Sequence, residues 1–431
     1  MKPSLYAVAA SLYLTEYTLY SNSSSAVLLN STIAGYFGIP FSQAAYIGVA
    51  FLAGFCLALL PAGLMSYRWR PDVAYFASSA ALVVLGIACG LSPEFWVLIA
   101  LRFLQGIASA VLAPQIFRII RARFYPDHHS AVLGAWGLVV SASALCSPLI
   151  TALLNDVWGW RSFPYETVVT TVAAMVLLAL APGTMGNTDE RATPGRVALP
   201  IVGLAAVQMT IFLAIGWSTA LHSKVILLAV AMLLGIAVIV LRSRSQSRVL
   251  SGSLIVVFVA GIATNVFTLS SVYVLQQVRG LNSYGSALFL LPMAFFAGLI
   301  PMLRFGRPGG NRKSTGLVCI GSVFLIVAGL SLPAELLVVN AALMGCAMGF
   351  LWSALANNVL TNSTDVPFDS SLYHYLRALG AAIGVATGAT MVDGLGSTLF
   401  GGAAVLVTAA GLTAALAARS ACRAMRLVEV R

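Results

Sequence analysis

Two groups of opposite charge stand inside stretches long enough to cross a bilayer, and they are the first candidates for any chemistry this chain performs. Arg102 interrupts the apolar run Leu98 to Ala113, LIALRFLQGIASAVLA, and Glu16 sits midway along a first stretch that continues into Ser21, Asn22, Ser23, Ser24 and Ser25. A charge at the middle of a lipid-facing helix costs at least ~2.5 kcal/mol on the insertion scale, so both side chains are expected to face a protein interior or a water-filled path. A carboxylate and a guanidinium so placed can exchange a proton or hold a polar solute. An arginine close to Glu16 would favour the ionised carboxylate, so Glu16 is expected to carry a proton and Arg102 to hold its field. His374 titrates near neutrality when unperturbed and is the second proton candidate. Asn22, Gln105, Asn265, Gln276, Asn357, Tyr373 and Arg377 supply further polar groups near membrane depth and are expected to contact a solute. Structural roles compete with these: Glu16 hydrogen-bonded to Tyr13 or Tyr17, Arg377 snorkelling, and His374 a fixed hydrogen-bonding group.

No bond-making constellation accompanies them. Glu16, Asp156 and Asp393 are far apart in sequence, no Gly-Lys-Ser/Thr loop cradles a phosphate, and no histidine cluster has metal spacing. The cysteines Cys56, Cys89, Cys146, Cys319, Cys346 and Cys422 are scattered without paired spacing and read as small core residues. Neither an enzyme, a metal site nor a cofactor is expected, and active transport would have to draw on an ion gradient.

The elements that must position these residues follow from composition. The 431 residues are 60% hydrophobic and 9% charged, against about 25% charged in soluble proteins. A crossing needs roughly 20 apolar residues; fourteen such segments are read, at 5–30, 43–66, 73–91, 95–117, 131–154, 165–182, 198–219, 223–241, 252–277, 284–303, 315–332, 335–361, 371–392 and 397–418. The expected fold class is an all-α polytopic membrane protein: residues 1–182 a six-helix bundle, 183–251 a Pro/Gly-rich linker with an inserted helix pair, 252–418 a second six-helix bundle, and 419–431 a basic cytoplasmic tail. The net charge of +11 reflects topology and not nucleic-acid binding, since the basic residues fall in alternate loops. Arg68, Arg70, Arg118, Arg121, Arg123, Arg242, Arg244, Arg312 and Lys313 are among those on one side, and only Arg161, Lys224 and Arg279 on the other, which places both termini in the cytoplasm by the positive-inside rule. Lys2 followed by a long polar-containing span reads as an uncleaved first helix in the cell membrane. Small residues mark close helix packing, namely Gly106, Ala108, Ser109 and Ala110 after Arg102, and the doubled GxxxG of Gly380, Gly384 and Gly388.

Three segments resemble the major facilitator superfamily, and within it the fourteen-helix drug:proton antiporters of the QacA and EmrB type. Arg102, Gln105 and Gly106 match an RxxQGxG signature with Ala108 at its last glycine; Leu275, Gln276, Gly280, Leu291 and Pro292 match LQxxxGxS...LP with Asn282 at the serine; Arg377, Leu379, Gly380, Ile383, Gly384 and Ala386 match RxLGxxIGxA. The departures lie at Ser21 and Asn22, where the family carries Leu-Asp, at Ser147, Pro148, Thr151 and Ala152, which soften its GPxxGG, and after Gly63, where an aspartate is missing. The resemblance implies two six-helix bundles rocking about a midplane cavity and proton-coupled efflux of a small organic molecule by a monomer. With a single cavity carboxylate read from the sequence, an anionic, zwitterionic or neutral solute is expected at least as much as a cationic one. The alternative is an importer or facilitator of a small metabolite or chelate on the same fold.

Overall fold

A computed structural model describes residues 3–65, 69–125, 146–181, 248–304, 336–362 and 366–395, with scattered positions between 132 and 239. All regular structure among them is helical: α1 (Pro3–Ser24), a 3-10 segment (Ser25–Leu29), α2 (Asn30–Phe37), α3 (Phe41–Ala44), α4 (Tyr46–Met65), α5 (Pro71–Gly90), α6 (Phe95–Arg123), α7 (146–158), α8 (Ser162–Leu180), α9 (Arg248–Tyr273) continued by a π-wound turn (Val274–Val278), α10 (Ser283–Arg304), α11 (Leu337–Asn362) and α12 (Val366–Leu395). Among the described residues, five stretches are long and apolar enough to cross a membrane: Phe41–Gly63, Pro71–Gly90, Phe95–Ile120, Cys146–Leu180 and Ser253–Val278. The turn at Gly159–Arg161, with Gly159 at φ 66°, divides the fourth of these into α7 and α8. Most of the expected inserted helix pair, half of the expected fifth crossing, and the expected crossings at 315–332 and 397–418 lie outside the described residues.

The helices bury polar groups and expose apolar ones, as a bilayer requires. On α8, Val169, Val172, Val176 and Leu180 recur at helical spacing and are exposed, whereas Glu166, Thr167, Thr171 and Ala174 on the opposite side are buried. An apolar stripe of that width facing outward is stable against lipid, and the polar stripe must find its hydrogen bonds inside the bundle.

Glycines set how closely the helices approach. A Cβ on Gly54 of α4 would collide with the carbonyl of Phe103 on α6, and one on Gly106 would collide with the carbonyl of Phe51. The second half repeats the device, with Gly345 of α11 against the backbone of Met293 on α10. The expected Gly380–Gly384–Gly388 ridge lies along α9: Gly380 meets the carbonyl of Phe258, Gly384 that of Ile262, and Gly388 the side chain of Leu269. Between the halves, α4 packs on α12, where Gly63 abuts Ser371 and the Cys56 thiol faces the carbonyl of Tyr375 at 3.8 Å.

The first crossing differs from the single run read over 5–30. Winding tightens to 3-10 at Ser25–Leu29 and the helix resumes as α2 to Phe37. Serine hydroxyls offer local and cross-helix hydrogen bonds that compete with regular winding, and here the Ser25 hydroxyl lies 2.5 Å from that of Ser147.

Replacing Gly106 or Gly380 by leucine is expected to destabilise the folded bundle by ~1–3 kcal/mol or more through overpacking. Gly35→Ala, at a position with nothing within 4 Å of the added carbon, should stay within about 0.5 kcal/mol of the parent. Thermal unfolding in detergent, followed by tryptophan fluorescence, separates the two outcomes.

Candidate functional site

Arg102 is 1% exposed, enclosed where α1 crosses α6. Its Nη1 donates to the Oδ1 of Asn22 and, at 2.8 Å, to the Oε1 of Gln105; its Nη2 donates to the Asn22 carbonyl at 2.6 Å. The guanidinium lies 4.6 Å from the ring centroid of Phe51 and 4.8 Å from that of Phe163. Gln105 follows Arg102 by one turn, so the same helix face supplies ion and acceptor. Arg102 Nε, Asn22 Nδ2 and Gln105 Nε2 are buried donors with no hydrogen-bond partner. The cluster thus has donor capacity to spare and, among the described residues, no carboxylate hydrogen-bonded to the guanidinium.

The hydrogen bonds of Arg102 go to Asn22 and Gln105, and Glu16 stands elsewhere on α1. It is half-buried on α1 and shares a helix face with Tyr20, four residues on. Tyr20 interacts electrostatically with Arg377 of α12, as do Tyr373 and His374. The Tyr373 and His374 rings are 5.3 Å apart, and Arg377 follows one turn later. Three sequence candidates, Tyr373, His374 and Arg377, thus share one stretch of α12, and Arg377 acts electrostatically on Tyr20 of α1.

A second membrane-embedded carboxylate was not singled out in the sequence. Glu166 is 7% exposed and accepts from Tyr17 Oη at 2.6 Å and Ser21 Oγ at 3.1 Å on Oε1, and from Thr151 Oγ1 at 2.8 Å on Oε2. The chain continues from Ser21 to Ser25 at 3.3 Å and from Ser25 to Ser147. With the sixth crossing read from 165, Glu166 looks like an acid in a first helical turn at the interface; α8 starts at Ser162, which carries it one turn inward. Its threonine-rich face, Thr167, Thr170 and Thr171, was the available signal. Glu166 is thus a buried acid inside a candidate crossing that the sequence reading did not count.

Gln276 lies where the two halves meet. Its Nε2 donates to the carbonyl of Leu28 at 2.9 Å and its Oε1 accepts from Ser31 at 2.7 Å. Ser283 also donates to Leu28 at 3.0 Å, and Gln277 donates to Ser31 at 2.9 Å. Both partners sit on irregular winding, 3-10 on one side and π on the other, which leaves carbonyls available and re-aims side chains. Nearby, Arg161 donates to the Gly90 carbonyl and to Tyr36 and stacks on Tyr36 and Trp160. Asn265 is turned back onto its own helix, donating to the Gly261 carbonyl at 2.9 Å. Asn357 lies on α11 where the side chains are outside the described residues.

Arg102→Leu is expected to cost ~2–5 kcal/mol, because it leaves the Asn22 and Gln105 acceptors buried and unsatisfied as well as removing the ion. Arg102→Lys keeps the charge but not the fork, and should recover less than half of that loss. Denaturation midpoints in one detergent give both values; equal stability for lysine and arginine would contradict the geometry.

Comparison with known proteins agrees with this architecture. The family model described as Major Facilitator Superfamily matches residues 10–385. An uncharacterized MFS-type transporter of Mycobacterium tuberculosis is 30% identical over 178 residues, 41% of this chain and 30% of the relative. The multidrug export protein EmrB of Escherichia coli is 25% identical over 180 residues, covering 41% of this chain and 35% of its own. The chain thus spans about a third of the length of these relatives. A methylenomycin A resistance protein of Bacillus subtilis is 25% identical over 416 residues, 88% of this chain and 86% of that one. Among solved structures, a peptide transporter superposes with a TM-score of 0.71 at 15% identity over 97% of this chain and 95% of its own, a likeness of fold. With a family match running through most of its length and a bundle of the same form, the chain belongs to the Major Facilitator Superfamily.

Proposed function

We propose that the chain is a proton-coupled exporter of a small organic molecule bearing hydrogen-bond acceptors, working by alternating access. The observation that carries the substrate class is the Arg102 cluster: a buried guanidinium with no carboxylate partner among the described residues, beside unpartnered donor atoms of Asn22, Gln105 and Arg102 itself. Buried donors of this kind favour a ligand that supplies acceptor oxygens and disfavour a cation. Export is supported by the names of the relatives, which are drug-export and resistance proteins.

Two six-helix bundles with an inserted pair, fourteen crossings in all, form a monomer in the cell membrane with both termini cytoplasmic. The junction of Leu28 and Ser31 with Gln276, Gln277 and Ser283 then closes the outer face, and it consists of side-chain hydrogen bonds that a rocking motion can break and remake. Glu16 carries the exchanged proton, one helical turn before Tyr20, on which Arg377 of the other half acts electrostatically.

The reading is tested in inside-out membrane vesicles with an acid interior. Compounds that cells secrete only when they produce this chain are identified by mass spectrometry, then offered to the vesicles beside the cationic dye ethidium. Acceptor-bearing anionic, zwitterionic or neutral compounds should accumulate several-fold, and a protonophore should abolish it. Glu16→Gln should reduce accumulation at least tenfold while leaving solute exchange across the membrane. Preferential uptake of ethidium would refute the substrate class, and accumulation indifferent to the protonophore would refute the coupling.

A further inference from the structure

We propose that the Arg102 cluster binds a small monovalent inorganic anion, of the size of chloride, whenever no solute occupies it. The proposal rests on the reading above, in which the same cluster receives the acceptor atoms of a solute, and adds what neutralises it in the solute's absence. Charge is the first argument. The guanidinium is 1% exposed, and its hydrogen bonds go to oxygens that carry no net charge, the Oδ1 and carbonyl of Asn22 and the Oε1 of Gln105. The rings of Phe51 and Phe163 that cover it are neutral as well. Among the described residues, the ionisable group that acts on it electrostatically is the buried Cys89 thiol, and a thiol carries little charge at pH 7. The carboxylate of Glu166, one turn beyond Phe163, is taken up by Tyr17, Ser21 and Thr151. Neutral oxygens solvate a buried ion without cancelling its charge, and a buried charge left unpaired is strongly destabilising.

The hydrogen bonds point the same way. A guanidinium has donors and no acceptor, so both amides must turn their oxygens toward it. That turns each NH2 group away, and neither meets an acceptor: Asn22 Nδ2 and Gln105 Nε2 are buried without a partner, as is Arg102 Nε. Three side chains joined to one another by hydrogen bonds therefore hold three unused donor atoms. A water molecule placed among them would accept from one or two, but its own hydrogens would meet only oxygens that already accept from Arg102. An anion accepts from all three, donates nothing and cancels the charge.

Size and shape select among anions. Asn22 is 1% exposed and Gln105 is fully buried, so the closed cluster favours a single atom over sulfate or an organic acid. A halide also accepts from any direction, which suits donors that come from two crossing helices, α1 and α6, and do not form the planar fork a carboxylate would need. A solute that brings its own acceptor oxygens when the cluster opens takes the place of this ion, so solute and halide compete for one set of donors.

The test follows thermal unfolding of the full chain in lipid nanodiscs by tryptophan fluorescence, at fixed pH and fixed ionic strength, as sodium gluconate is replaced by sodium chloride, bromide or sulfate. In the parent the midpoint should rise by about 3 °C or more with chloride or bromide, along a curve that saturates, and stay put with sulfate. Asn22→Asp keeps Oδ1 and puts a second, charged oxygen where Nδ2 stood, so the counter-charge becomes part of the chain. Its midpoint in gluconate should match or exceed that of the parent in chloride and no longer respond to halide. Gln105→Glu makes the same exchange from α6 and should behave alike, so the outcome does not hang on one variant folding. General salt effects would be common to parent and variants. Equal parent midpoints in chloride and gluconate, or a halide response retained in both variants, overturns the proposal. Because no solute and no pH gradient are present, failure here is separate from failure of the transport reading, which is judged by vesicle uptake.

Discussion

A buried guanidinium with no carboxylate partner among the described residues is the constraint on which the first half of this bundle depends. Removing such an ion from water costs several kcal/mol even after relaxation, and here the cost is offset by two side-chain oxygens, one backbone carbonyl and two aromatic faces. The backbone contact matters most for shape. Asn22 lies just before the winding of the first crossing tightens, and its carbonyl is held by Arg102, so α1 is pinned to α6 where it departs from α-helical form. The close approach of α4 and α6 through Gly54 and Gly106 brings the Phe51 ring over the ion.

From that pinned point α1 serves several partners. Tyr17 and Ser21 donate to Glu166, Asn22 accepts from Arg102, and Tyr20 lies within electrostatic reach of Arg377 in the other half. A helix shared in this way can relay a change in charge on one side to contacts on another, provided the contacts have two arrangements. The 3-10 and π segments are suited to that, since irregular winding is tolerated at membrane depth only where other protein groups satisfy the backbone. Gln276 and Ser283 meet the Leu28 carbonyl and form the junction at the same time.

The sequence made some of this legible and hid the rest for physical reasons. Arg102 stood out because a lone charge in an apolar run has to be buried, and the glycine ridge at Gly380, Gly384 and Gly388 because its spacing matches a helix face. Gln105 and Asn22 were recognised as polar groups at depth, though their role as ligands of the guanidinium required the crossing of α1 and α6. Glu166 escaped because one boundary was set three residues late, which turned a buried acid into an interfacial one. The meeting of Gln276 with Leu28 is a contact across 248 positions, between two windings that no local pattern announces.

The central claim is that the halves separate at the junction of the 3-10 and π segments while the glycine-packed cores stay intact. Amide hydrogen exchange of the full chain in nanodiscs, read by mass spectrometry, tests it most directly. Peptides covering residues 25–31 and 274–283 should exchange together, with a common opening rate, while those covering 376–389 stay protected. Independent exchange of the two junction segments, or earlier exposure of the glycine ridge, would contradict the account.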